Sequence, residues 1–141
     1  MAALVEFRRD AGTRRLVVVD GGGAIAALAG VYVGAGWSSH VAEIRLVVGF
    51  DFRGRGVGRT LARAALVEAV QAGCSHVFVE LIAEQEALVT MFQDLGFEPE
   101  ALLADFVRDG SSEYRDLMIL THRVDANQAR SALLGLNEVA Q

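Results

Sequence analysis

Two features of this sequence combine residue type and spacing in a way that suits chemistry. The first is Arg53-Gly54-Arg55-Gly56-Val57-Gly58, which runs directly into a helical pattern. A helix start offers unpaired backbone N–H groups and a partial positive charge. Glycines let the backbone come close to an anion, and a diphosphate is the natural guest. Arg53, Arg55 or Arg59 would add charge-assisted contacts. The plainer alternative is a surface turn rich in glycine and arginine. No Gly-Lys-Ser/Thr follows, so this is not a P-loop, and Arg59 stands where a dinucleotide fingerprint needs its third glycine. The second feature is Glu80, in the middle of Val77-Phe78-Val79-Glu80-Leu81-Ile82. An apolar setting tunes a carboxyl toward proton transfer. A solvated strand end or an ion pair is the competing reading.

The elements that must position these residues follow from periodicity. Leu16 to Val19 is a β-branched run, Asp20-Gly21-Gly22-Gly23 is a turn, and Ala24 to Val33 is the returning strand. Val41 to Val48 is a third strand. Leu61, Ala65, Leu66, Ala69 and Val70 recur at helical spacing over Arg59–Ala72, and Gly73 stops that helix. His76–Ile82 is the next strand. Glu84–Leu95 is a second helix with Ala87, Leu88, Met91, Phe92 and Leu95 inward, closed by Gly96. Ala101–Val107 and Tyr114–Thr121 pair antiparallel across Asp109-Gly110-Ser111-Ser112. The strand–loop–helix–strand segment is a parallel crossover unit. The expected fold is therefore α/β, a mixed sheet of about six strands around that unit. It forms one domain over residues 1–124 with an amphipathic helical tail over 125–141.

With 141 residues and 52% hydrophobic composition, the chain can bury one core, which excludes disorder. No apolar run approaches membrane-spanning length, and the N-terminus lacks the basic-then-apolar order of a signal peptide. The single cysteine, Cys74, excludes a disulfide framework and reads as a small buried hydrophobe. A cytoplasmic location is the default expectation. All thirteen basic residues are arginine, scattered in a chain of net charge −5, which argues against nucleic-acid binding. His40, His76 and His122 have no metal-ligand spacing, so no metal is expected.

The loop and its frame resemble the GNAT superfamily of acyl-CoA-dependent N-acyltransferases. The family's coenzyme A motif, Q/R-x-x-G-x-G/A, is met by Arg53, Gly56 and Gly58 after the strand end Leu46-Val47-Val48, and Leu95-Gly96-Phe97 matches its later L-G-F. The resemblance covers roughly residues 14–124. It implies acetyl-CoA as co-substrate and transfer of its acyl group to a primary amine in a ternary complex. By position, backbone groups of Leu46, Val47 and Val48 would bind the pantetheine arm like an added strand. The amides from Arg53 to Gly58 would hold the pyrophosphate, with Arg59 beside them. Gln85 stands where many members carry an asparagine near the coenzyme. Glu80 falls where some members carry a catalytic glutamate, and Glu43 matches the base of others.

The reaction needs a neutral amine. A lysine amine (pKa about 10.4) is neutral for about one part in a thousand near pH 7, an α-amine (about 7.8) far more often. A base therefore matters most for a lysine-like acceptor. Many members protonate the departing thiolate with a tyrosine at the position that is Phe92 here, which has no proton to give. Tyr114 is a distant substitute, and Trp37 could line an acceptor pocket or simply pack. The alternative function is a catalytically silent acyl-CoA-binding or interaction module. The family also begins with a strand and two helices, yet only about a dozen residues precede Leu16. A fragment, an open acceptor groove, a partner subunit or coverage by the tail would each account for this. A homodimer or tail coverage is favoured, because uncovered apolar surface promotes association.

Overall fold

The computed structural model describes residues 4–10 and 12–125. Its core is a seven-stranded sheet in the order β1-β2-β3-β4-β5-β7-β6. The strands are β1 Leu4–Asp10, β2 Thr13–Val19, β3 Ile25–Val33, β4 Val41–Val48, β5 His76–Ile82, β6 Glu98–Arg108 and β7 Tyr114–Arg123. Two helices, α1 Val57–Gln71 and α2 Glu86–Asp94, complete the frame. The mixed α/β class and the parallel unit agree with the sequence reading. The sheet has one strand more than expected. That strand, β1, pairs antiparallel with β2 from Leu4↔Val19 to Asp10↔Thr13. A short turn joins the two, with Gly12 at φ 73°, and no helix lies between them. The helical tail expected after residue 125 falls outside the described residues.

Alternation fixes which residues face the helices. On β4, Ala42 and Ile44 are buried while Arg45 and Val47 are exposed. Leu16, Val18, Ala29, Val31, Val77, Val79 and Leu120 lie on the same inner side as Ala42 and Ile44 and form one core with Leu61, Ala62, Ala65 and Ala69 of α1. Both helices cover this side. A Cβ built at Gly58 of α1 would lie 3.2 Å from Val48 Cγ2 and 3.8 Å from Met91 Sδ of α2. Only glycine lets these three elements meet so closely. Among the described residues no helix covers the opposite face, where Val17, Leu28 and Val47 form an apolar cross-strand row.

The sheet is two half-sheets joined by a short seam. β4 and β5 run parallel and pair only from Val41↔His76 to Ile44↔Val79. Beyond that point β4 stays paired with β3 through Val48, and β5 with β7 through Ile82. The two strands therefore part after Ile44 and Val79. The β2–β3 turn forms as its residues predict: Asp20 Oδ1 accepts bonds from the amides of Gly22 and Ala24, both at 2.9 Å. On α1, Glu68 is buried at 3% exposure and paired with Arg14 Nε of β2 at 2.9 Å. Cys74 is buried as expected, and burial pushes its thiol pKa up. Trp37 neither packs nor lines a pocket: it sits on a single turn of 3-10 helix and is 95% exposed.

Candidate functional site

The glycine loop does what its composition demands. After β4 a short 3-10 turn, Phe50–Phe52, leads to Arg53. Gly54 and Gly56 then take φ 76° and 78°, a left-handed region that only glycine enters freely. Gly56 is the N-cap of α1 and brings no capping side chain. The first amides of the helix (Val57, Gly58 and Arg59) thus have neither a preceding turn nor a side chain to bind. Thr60 continues the helix, its amide and hydroxyl both donating to the Gly56 carbonyl at 3.1 and 3.0 Å.

This helix start opens into a cavity of about 830 Å³ between β4, the loop and α2. Its walls include Leu46, Val47, Val48, Phe52, Arg53, Gly54, Gly56, Gly58 and Arg59 on one side, and Gln85, Ala87, Leu88 and Met91 on the other. Leu46–Val48 is the stretch of β4 that has lost β5 as a neighbour, so its outward backbone groups face the cavity edge without a strand partner. The site thus offers an anion-binding helix start at one end and an apolar channel with a free strand edge along its length. That combination suits a ligand with a phosphate head and a long amide-bearing arm.

The individual side chains are more constrained than the sequence suggests. Arg53 Nε donates to the Val48 carbonyl at 3.4 Å, and its guanidinium lies 5.6 Å from the Phe50 ring centre. Arg55 sits 5.8 Å from the Phe52 ring centre, exposed at the loop tip. Arg59 pairs with Asp94 at the end of α2, Nη2 to Oδ2 at 2.9 Å, and so clamps the two helices together. Gln85 lines the cavity, but its Oε1 accepts the Ile82 amide at 3.2 Å and caps the end of β5. Glu84, beside it, holds Arg115 of β7 in a two-oxygen ion pair at 3.1 and 2.9 Å. Arg115 also binds Asp109 Oδ2 at 3.0 Å. The Ser111 hydroxyl and Arg115, with two turn amides, hold the Asp109 carboxyl at a pKa of about 2. The β6–β7 turn is thereby tied to the mouth of the cavity, a link that sequence inspection missed.

The two carboxylates lie on the sheet face away from the helices. Glu80 is exposed and takes no hydrogen bond or ion pair among the described residues. Val79 and Leu81 project into the core on the other side, so on its own face Glu80 has Phe78 and Ile82 along the strand and Ile119 opposite on β7. Glu43 is half-buried and accepts a bond from Arg45 Nη2 at 3.1 Å. Both flank the point where β4 and β5 part. Phe92 is fully buried, edge-on to Phe97 with ring centres 5.2 Å apart. Met91, one residue earlier, faces the cavity instead. Ala87, expected inward, is exposed at the cavity rim. Tyr114 does not line the cavity, and its hydroxyl is engaged by Arg108 at 3.3 Å. Among the described residues no cluster of His, Cys, Asp and Glu is arranged to hold a metal, and no helix is long and apolar enough to cross a membrane.

A glycine loop opening a helix, a parted parallel strand pair and a cavity beneath them make a mixed α/β fold with an anion-binding groove. The family model of the acetyltransferase (GNAT) family matches residues 2–97, and the chain belongs to that family. No curated protein sequence matches it. Among solved structures, it is similar to a GCN5-related N-acetyltransferase from Kribbella flavida, with 25% identity and a TM-score of 0.73 over 80% of this chain and 68% of that one. A mutant of the spermidine N-acetyltransferase SpeG from Vibrio cholerae is similar at 20% identity and a TM-score of 0.72, covering 88% and 70% of the two chains. The yncA protein from Salmonella typhimurium, solved with its cofactor acetyl-CoA, is similar at 20% identity and a TM-score of 0.73, covering 82% and 66%.

Proposed function

We propose that this protein transfers an acyl group, acetyl in the first instance, from acyl-CoA to a primary amine by direct attack. The observation that carries this reading is the uncapped, glycine-built start of α1 at the mouth of a cavity edged by the stretch of β4 that has parted from β5. The thioester supplies an electrophilic carbonyl and a thiolate that leaves without much help, its thiol pKa being about 8.5. The amides from Arg53 to Gly58 hold the diphosphate, with Arg53 and Arg55 near it. Arg59 and Gln85 act mainly as struts, since each is already engaged. Leu46 and Val48 hold the pantetheine amides as a neighbouring strand would, while Val47, whose backbone groups turn to Leu28 of β3, contributes only to the wall. Glu80, exposed beside the parting of the strands, receives the proton from the acceptor amine. Glu43 ranks behind it because Arg45 already holds its carboxylate.

A second reading, a silent acyl-CoA-binding module, is favoured by Phe92 alone, which leaves the thiolate without the usual acid. Calorimetric titration with acetyl-CoA, with desulfo-CoA as control, tests the first step on wild type and on Gly56→Glu. Binding by wild type and loss in the variant is expected. Amine-dependent thiol release that falls on Glu80→Gln then separates enzyme from silent module. A well-folded wild type that binds no coenzyme would overturn both readings.

A further inference from the structure

On the face away from the helices, the two lips of the parted strands carry opposite charges. Ile44 and Val79 are the last paired residues, so Arg45 on β4 and Glu80 on β5 come next. Both project to the uncovered side, in step with Glu43 and Phe78. Arg45 is held with care. Gly30 lies opposite it on β3, and Tyr32 lies opposite Glu43. The Tyr32 ring is folded over Gly30: a Cβ there would fall 2.6 Å from the ring. The Arg45 guanidinium rests over that ring, 4.6 Å from its centre. Glu43 takes one hydrogen bond from Nη2, at 3.1 Å. The glycine, the ring and the carboxylate therefore fix the guanidinium plane while Arg45 stays 65% exposed. Among the described residues its guanidinium makes no other hydrogen bond. Glu80 adds, least of several groups, to raising the Arg45 pKa, and its carboxylate takes no hydrogen bond or ion pair among the described residues.

We propose that Arg45 anchors a carboxylate of the acceptor, so that the acceptor class is a small amine bearing an acid group, such as a free α-amino acid, with its amine turned toward Glu80. This rests on the acyltransferase reading above. A guanidinium matches a carboxylate through two parallel bonds, and a fixed one loses little freedom on binding. An α-amino acid carries its ammonium and its carboxylate on one carbon, in the order that Arg45 and Glu80 complement. In the transfer, the amine nitrogen forms a bond to the acyl carbon and the carbon–sulfur bond breaks. The sulfur leaves as thiolate and the amine proton passes to Glu80. Glu43 is then a positioning residue for Arg45.

The test compares alanine, glutamate and phenylalanine with their primary amides and with spermidine, at saturating acetyl-CoA, by thiol release. Free acids are expected to exceed their amides in kcat/KM by about tenfold or more, the effect of one charge-assisted pair. Arg45→Gln should raise KM for the acids by a similar factor and bring the acid-to-amide ratio to about one. Arg45→Lys, which keeps charge but not the fork, should fall between. Calorimetric titration of the desulfo-CoA complex with alanine and its amide gives the same comparison without turnover. Amides or spermidine preferred over acids, or a ratio unchanged in Arg45→Gln, overturns the anchor while leaving acyl transfer intact. Acetyl-CoA binding without turnover of any amine overturns the acyltransfer reading itself.

Discussion

Replacing Gly56 with alanine separates backbone conformation from contact. Gly56 sits at φ 78°, ψ 2°, and a Cβ built there meets nothing within 4 Å. No clash contributes, so the cost is the left-handed backbone itself, about 1–2 kcal/mol for an L-residue. Alanine also restricts the unfolded chain, which returns about 0.4–1 kcal/mol. The net destabilisation is then about 1 kcal/mol, or about 2–6 °C in Tm for a domain of this size. If this turn aims the α1 amides at the diphosphate, a loop that relaxes must be forced back on binding. Acetyl-CoA affinity should fall by up to about tenfold, the equivalent of ~1.4 kcal/mol. Asparagine tolerates this region better than alanine and should lie between alanine and wild type in both measurements. Thermal melts and calorimetric titrations on the three proteins read the order directly. An alanine variant with wild-type Tm and affinity, or an asparagine variant worse than alanine, refutes the reasoning.

Other substitutions probe the frame. Phe92→Tyr places a hydroxyl in a fully buried site. It should cost about 1–3 kcal/mol by denaturant melts without raising kcat, and a faster enzyme of unchanged stability would contradict the placement. Among the described residues His122 Nδ1 is buried without a hydrogen-bond partner, and burial pushes the imidazole pKa below its usual value. The unfolded chain therefore takes the proton first as pH falls. Stability should be unaffected well above about pH 6.5 and decline from there toward the lower folded pKa. His122→Gln should flatten that limb, and a limb as steep as wild type's would count against it. For the Arg14–Glu68 pair, Arg14→Met should cost about 1–2 kcal/mol, since Arg14 is partly exposed. Arg14→Met with Glu68→Leu should cost less than the sum of the single changes, and strict additivity in a double-mutant cycle would refute coupling.

Much of this architecture was legible because local chemistry specified it. The β2–β3 turn follows from one aspartate and three glycines, and the loop from Arg53 to Gly58 follows from glycines that must take positive φ. β5 could be read end to end because Val77, Val79 and Leu81 alternate with residues of another face. For Glu80 the same alternation assigns Val79 and Leu81 to the opposite side of the sheet, and leaves Phe78, Ile82 and Ile119 of β7 on its own face. β1 was overlooked although Val5 and Phe7 alternate with Glu6 and Arg8, and its hairpin with β2 is the element that leaves no room for intervening helices. Relations between distant strands were not legible at all. Nothing local says that Glu68 meets Arg14, that Tyr32 folds over Gly30 to support Arg45, or that β4 and β5 pair at four positions and then separate.

That separation has a kinetic meaning. A sheet whose strands lie about 4.8 Å apart is a closed wall, but this one has a slit above Ile44 and Val79. The helix-lined cavity is on one side of the slit, and the Arg45–Glu80 lips open on the other. In the transfer proposed above, a long carrier and a small acceptor would reach the reacting carbon through separate doors. Neither bars the other's way, so either can arrive first. Steady-state rates should then follow random addition, with free coenzyme A competing against the acyl donor and not displacing the amine.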